Sequence, residues 1–185
     1  MRINQDQLID ELLRMTDQSY KTAVKFRELS IEKLNYKPDE TKWSILECIE
    51  HLNLYGDFYL PEIEQKMMDS ELKDVSDDHP YKSSWIGDYF VKAVRADNKK
   101  KMTATKMMTP KQSDFTMVTL DRFIKQLEWL TLLMNQAKNK NLRKIKTTIS
   151  LTTLFTLRLG DTLRFLVYHN ERHILQAERI LKIHD

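Results

Sequence analysis

The segment Tyr168-His169-Asn170-Glu171-Arg172-His173 places two histidines four residues apart. In a helix that spacing stands them one turn above each other on one face, as two ligands of a shared metal ion require. A third candidate, His51, lies far upstream in Trp43-Ser44-Ile45-Leu46-Glu47-Cys48-Ile49-Glu50-His51-Leu52. Three neutral imidazoles on facing helices would leave a metal with an open coordination position, where a substrate or water can bind. The competing reading is three histidines that each satisfy local hydrogen bonds. A pair at i, i+4 weighs against it, but spacing alone leaves both readings open.

The residues around the histidines narrow the chemistry. Zinc proteases place a glutamate directly after the first histidine, and here that position is Asn170. Glu171 comes one residue later, so a helix turns it about 200° from His169 and away from any metal the pair shares. The spacing therefore disfavours peptide hydrolysis with Glu171 as general base. Glu47, one turn before His51, is placed either to orient that imidazole or to close a capping box with Ser44, and the capping role is favoured. Cys48 falls on an apolar stripe and reads as an inert core cysteine. Asn170 falls mid-stripe and should be partly buried, bonding into the core or toward the open side of a metal. Arg172 and Gln176 lie off the core face, with solvated or interhelical roles. Trp43 is expected to pack as an apolar plug at a helix start, and Met102, Met107 and Met108 as adaptable packing under a loop.

Helices must carry these residues. Leu8, Leu12, Met15, Tyr20, Ala23, Phe26 and Ser30 follow helical spacing and predict a first helix over about residues 4–34, capped by Asn4 or Asp6. Tyr36-Lys37-Pro38-Asp39 stops it, because a residue before proline is pushed from helical angles. Ser44 opens a second helix whose stripe of Ile45, Cys48, Ile49, Leu52, Tyr59 and Ile63 runs to about Met68, with Pro61 expected to kink or split it. Residues 70–114 are irregular, with a turn at Asp77-Asp78-His79-Pro80 and a short helix over Trp85 to Val94. A third long helix spans Met117 to just before Asn139. Lys146 to Leu157 is rich in Thr and Ile; a short strand is one reading, and a loop is favoured. The last helix runs from about Asp161 to His184, with Leu163, Leu166, Val167, Ile174, Ala177 and Leu181 inward. Four long helices and one elaborate crossover between the second and third predict an all-α four-helix bundle.

Composition fits that class. The chain of 185 residues is most economically one domain, residues 1–185, long enough to bury a core without disulfides. Three Gly and four Pro are too few for a turn-rich β-sandwich. A net charge of +3 gives no reason to expect nucleic acid or an anionic membrane as partner, and Lys99-Lys100-Lys101 reads as a solvated loop. The single cysteine fits a reducing compartment, no apolar stretch reaches membrane-spanning length, and the N-terminus lacks the apolar core of a secretory signal. A cytoplasmic protein is expected.

Taken together, Trp43-Ser44-Ile45-Leu46-Glu47 leading to His51-Leu52, and His169 through Gln176, resemble the DinB-like superfamily, also described as YfiT-like metal-dependent enzymes. Leu157 to Leu163, with Gly160-Asp161, is similar to that family's approach to its last helix, and Lys106 to Pro110 to its entry to the third. The resemblance implies a four-helix bundle in up-up-down-down order, often a homodimer. It implies a divalent metal, zinc or nickel, on His51, His169 and His173. It further implies S-transfer or isomerisation with low-molecular-weight thiols such as bacillithiol or mycothiol, on small-molecule substrates. Asn170 departs from the family, where glutamate is common, at a position that is not a ligand. Three functional readings follow: a metal-dependent thiol transferase acting on small electrophiles, a hydrolase at the same site, or a non-catalytic metal- or small-molecule-binding stress protein.

Overall fold

The computed structural model describes residues 2–70, 80–98, 105–112, 114–150 and 152–184. The first helix, α1 (Gln5–Phe26), starts where the Asn4 side chain accepts the backbone N–H groups of Asp6 and Gln7. It ends sooner than its apolar spacing predicts. Ser30 accepts from the Lys33 N–H and caps a separate short helix, α2 (Ile31–Asn35), so the expected helix over 4–34 is two helices. A serine side chain that bonds the backbone ahead of it competes with continuation of the preceding helix. The second long helix, α3 (Ile45–Met68), opens on a complete capping box and is continuous through Pro61, which does not split it.

Between α3 and the next long helix come β2 (Tyr81–Lys82), which pairs with β1 (Arg2–Ile3), then α4 (Trp85–Val94) and a 3-10 turn at Lys106–Met108. Helix α4 matches the sequence expectation. The turn through Asp77, Asp78 and His79, the Lys99–Lys101 loop and Met102 lie outside the described residues. Helix α5 (Met117–Ala137) follows, then β3 (Lys146–Ile149), β4 (Thr152–Arg158) and α6 (Leu159–His184). The favoured loop over 146–157 is therefore an antiparallel hairpin, and this corrects the sequence reading. β-Branched threonines suit a pleated surface, and a tertiary contact settles the matter: Glu62 of α3 accepts from both the Thr148 N–H and its hydroxyl. Among the described residues the chain is mostly helical, with two small two-stranded sheets.

Helices α1 and α3 each pack against α5 and α6. Pairings along the helices fix their directions. Gln5 donates to the Lys140 carbonyl and Arg27 pairs with Asp121, so α1 and α5 are antiparallel. Glu50 pairs with Arg122, Asp57 with Gln126 and Glu64 with Trp129, so α3 and α5 are parallel. His51 meets His173, Tyr55 meets His169 and Tyr59 meets Phe165, so α3 and α6 are antiparallel. The buried side chains fall into two clusters that agree. One joins the start of α1 and α6 to the ends of α3 and α5, and the other joins the opposite ends.

The directions along the chain are thus up, down, down, up. The up-up-down-down order implied by the resemblance does not hold. The reason lies in the connections. A single long crossover, between α3 and α5, lets only one consecutive pair of long helices run parallel, whereas up-up-down-down needs two.

Candidate metal centre

Each ligand candidate is placed by a local sequence device. On α3, Ser44 Oγ accepts from the Glu47 N–H at 3.1 Å while Glu47 Oε2 accepts from the Ser44 N–H at 2.8 Å. That box sets the helix phase, burying Ile45, Cys48, Ile49 and Leu52 and turning His51 inward with them. The other Glu47 oxygen holds Lys37 Nζ at 2.7 Å. Both carboxylate oxygens are thereby occupied away from His51, so Glu47 is a cap. Burial pushes the Cys48 thiol far up, as expected of an inert core cysteine.

On α6, the first turn is locked by a buried carboxylate. Asp161 accepts from the Tyr81 hydroxyl at 2.5 Å, from the Ser83 hydroxyl, and from the Ser84 N–H and hydroxyl at 3.1 and 2.8 Å. Arg164 reaches Ser83, Asp88 and Asp161 from the next turn. Gly87 makes this approach possible, because a Cβ there would collide with the Asp161 carboxyl. The network pins α4 against α6 and fixes the height at which His169 and His173 project.

The three histidines meet. His169 Nε2 lies 3.2 Å from His51 Nε2 and 3.1 Å from His173 Nε2, and the rings are 3%, 5% and 8% exposed for His51, His169 and His173. Ring centroids are 4.6–5.0 Å apart and the planes are mutually edge-on. The outer nitrogens explain which way the protons sit. His51 Nδ1–H donates to the Met108 carbonyl at 2.5 Å, and His173 Nδ1–H donates to Gln176 Oε1 at 3.0 Å. With their protons held on Nδ1, both rings turn a bare Nε2 lone pair toward the third. His169 Nδ1 is buried with no partner among the described residues, so this ring gains no hydrogen bond on its outer side.

Burial pushes the His51 pKa down to about 4, even though the Met108 carbonyl favours the charged form. Burial first, and repulsion from its neighbours second, take His173 to about 3 and His169 well below its ordinary value. Three neutral imidazoles converge, and no protein proton satisfies them all. A tetrahedral zinc with Zn–N bonds of 2.0–2.1 Å sets its nitrogens about 3.3 Å apart; two of the three Nε2 separations are close to that, and the three ligand atoms all lie within 4.8 Å of one another, so the donor set fits a divalent ion.

Aromatic rings close the surroundings. Trp43 stands 4.8 Å from the His51 ring and 5.9 Å from His173, while Tyr55 and Phe165 lie 4.5 and 5.5 Å from His169. Trp43 thus packs as expected at the helix start, but on the histidines. Tyr55 and Phe165 were not singled out in the sequence. Their spacing was a usable signal, since each lies one helical turn from a histidine, at 51/55 and 165/169. The Met108 carbonyl carried no signal at all, because backbone groups look alike in sequence. Gln176, expected off the core face, instead reaches back to His173. Met108 is buried and Met107 exposed.

The remaining neighbours lie elsewhere. Arg172 donates to the carbonyls of Arg95 and Asn98, bridging α6 to the end of α4. Glu171 is half-buried on that same side, its pKa raised by burial and opposed by Arg95, which agrees with its turning away from the histidines. Asn170 is buried, and lines a narrow cleft with Gly56 and Gln126 between α3, α5 and α6.

A mostly helical chain with a buried, convergent three-histidine cluster defines a class of candidate metal-binding proteins. A profile of the DinB superfamily matches residues 14–177, and the chain belongs to that superfamily. Comparisons with curated proteins and with solved structures each return no significant match.

Proposed function

We propose that the protein is a divalent-metal-dependent enzyme on a four-helix bundle in up-down-down-up order, with His51, His169 and His173 as ligands. We further propose that it transfers a low-molecular-weight thiol to small electrophiles. The observation that carries the metal is the tautomer arrangement: Met108 and Gln176 hold protons on two outer nitrogens, which turns the Nε2 lone pairs of His51 and His173 toward His169 Nε2, where a cation would accept all three. The ligand count of three supports catalysis over a closed structural site.

A divalent ion with three neutral ligands, zinc or nickel here, keeps its full charge and lowers the pKa of a thiol or water at the fourth position. The chain's own part is to fix the imidazole tautomers and to exclude bulk water with Trp43, Tyr55 and Phe165. Among the described residues no carboxylate joins the histidine cluster to act as general base, which favours a nucleophile deprotonated on binding. No helix among the described residues is long and apolar enough to cross a membrane. A cytoplasmic location fits the single buried thiol, and a homodimer fits the family; the substrate is a small molecule, with no role for nucleic acid.

The test has two arms. Purified protein should hold near one divalent ion per chain by elemental analysis, and replacing His51, His169 or His173 by Ala should release it. Undiminished metal in all three variants would remove the site. Metal-loaded protein should then conjugate one of a panel of biological thiols to a reactive electrophile faster than metal-free protein. Equal rates across the panel would transfer the proposal to hydrolysis or to binding without catalysis.

A further inference from the structure

Tyr55 packs against two of the histidines and carries a hydroxyl that no described residue engages. Its ring is 9% exposed, edge-on to both His169, at 4.5 Å, and His51, at 5.1 Å. It is stacked on Tyr59 with centroids 6.2 Å apart and planes 8° from parallel. The two hydroxyls have different surroundings. Tyr59 donates to Ser150 Oγ at 3.3 Å and accepts from the Ser150 N–H at 3.0 Å, which ties it to the tip of the β3–β4 hairpin. The Tyr55 hydroxyl has no hydrogen-bond partner among the described residues, and it is not sealed in. A hydroxyl on a ring packed against two of the histidines, with no described protein group engaging it, is free to donate to a ligand bound beside them.

Charge indicates what fills it. A divalent ion beside three neutral imidazoles would leave a local charge of +2 among aromatic rings, with no carboxylate in the cluster among the described residues. Such a centre selects an anion, and a phenol hydroxyl helps bind one by donating its proton in a hydrogen bond.

We propose that Tyr55 is a positioning residue, whose hydroxyl donates a hydrogen bond to the anionic atom of the ligand held at the three-histidine centre. This rests on the metal reading above and names the ligand class as a small monoanion presenting a sulfur, oxygen or nitrogen acceptor, a thiolate among them. The expected cost of losing one hydrogen bond to a charged acceptor is about ten- to a hundred-fold in anion affinity.

Cobalt-loaded protein titrated with azide and with 2-mercaptoethanol, followed by its visible spectrum, measures that affinity. Tyr55→Phe keeps the ring and should bind cobalt with unchanged stoichiometry while weakening both anions by that factor. Tyr59→Phe should weaken neither. Equal anion affinities in Tyr55→Phe and wild type would overturn the proposal. A second measurement needs no variant: in zinc-loaded wild-type protein carrying tyrosine labelled with carbon-13 at Cζ, azide should move the Tyr55 signal and leave that of Tyr59 in place. If Tyr55 Cζ does not move, the proposal fails even where Tyr55→Phe cannot be purified. Wild-type protein that takes up no metal would fail at the earlier step and sink the metal reading together with this one.

Discussion

Two buried polar clusters sit on α6, and they are built on opposite principles. At its first turn, fully buried Asp161 has both oxygens bonded, by Tyr81, Ser83, Ser84 and Arg164, so the protein supplies nearly everything the charge needs. Arg164 Nε is the exception, buried without a partner among the described residues. Two to three turns later, His169 and His173 meet His51 through nitrogens that cannot all be satisfied by one another. The first cluster is complete and holds α4 in place. The second leaves His169 Nδ1 without a partner among the described residues and is arranged as a set of metal ligands would be. A buried polar group whose partners are all protein speaks for architecture, and one whose lone pairs converge on a shared point speaks for binding.

The sharpest way to break this comparison is to remove one polar residue from each cluster in metal-free protein. Asp161→Ala leaves Arg164 and Tyr81 facing an empty site and should cost about 3–5 kcal/mol in urea unfolding. His169→Leu, which removes a converging lone pair at similar volume, should stay within about 1 kcal/mol of the parent. Comparable losses would erase the distinction.

The next effect belongs to the centre's support. Gln176→Leu takes away the acceptor for His173 Nδ1–H and should lower metal affinity about 10- to 100-fold in chelator competition, with stability barely altered. Unchanged affinity would show that His173 is held by packing alone.

Acid should act on the histidine cluster in a direction set by burial. The folded pKa values of His51 and His173, about 4 and about 3, lie below the ordinary 6.5, so the unfolded chain binds protons first as pH falls. Metal-free protein should therefore be unaffected by these groups above about pH 6.5 and lose up to about 1.4 kcal/mol per pH unit per histidine below it. Urea midpoints that stay level from pH 7.5 to 5 would contradict the neutral cluster. The smallest effect is Glu171→Ala. Metal content should be unchanged and stability should move by no more than about 0.5 kcal/mol, because this side chain faces the α4 side; metal loss would show that it turns toward the histidines after all.

Much of this was legible in sequence because it depends on short-range regularity. Ser44 with Glu47, and the apolar repeat behind them, set the start and phase of α3. The short α4 and the outward turn of Glu171 follow from helical spacing by the same logic. The pair His169 and His173 is local, and so was readable. His51 could be nominated but not placed, since its partner helix lies 118 residues away in sequence. Where spacing alone misled, a competing local or distant group had won. Ser30 ended α1, and Glu62, far from the hairpin in sequence, stabilised strands that read as a loop.

By itself, then, the sequence determined the helices, their inward faces, a cap rather than a ligand role favoured for Glu47, and two histidines on one face. Only the tertiary structure decided that the three histidines meet, with His169 Nε2 within 3.2 Å of the other two Nε2 atoms. It also decided that Met108 and Gln176 choose the tautomers, that Tyr55 and Phe165 wall the centre, and that the long helices run up, down, down, up. The physical reason is range. Helix phase and caps are set by bonds within one turn of the chain, whereas convergence, proton placement and direction depend on backbone carbonyls and neighbours that come together only when distant segments pack.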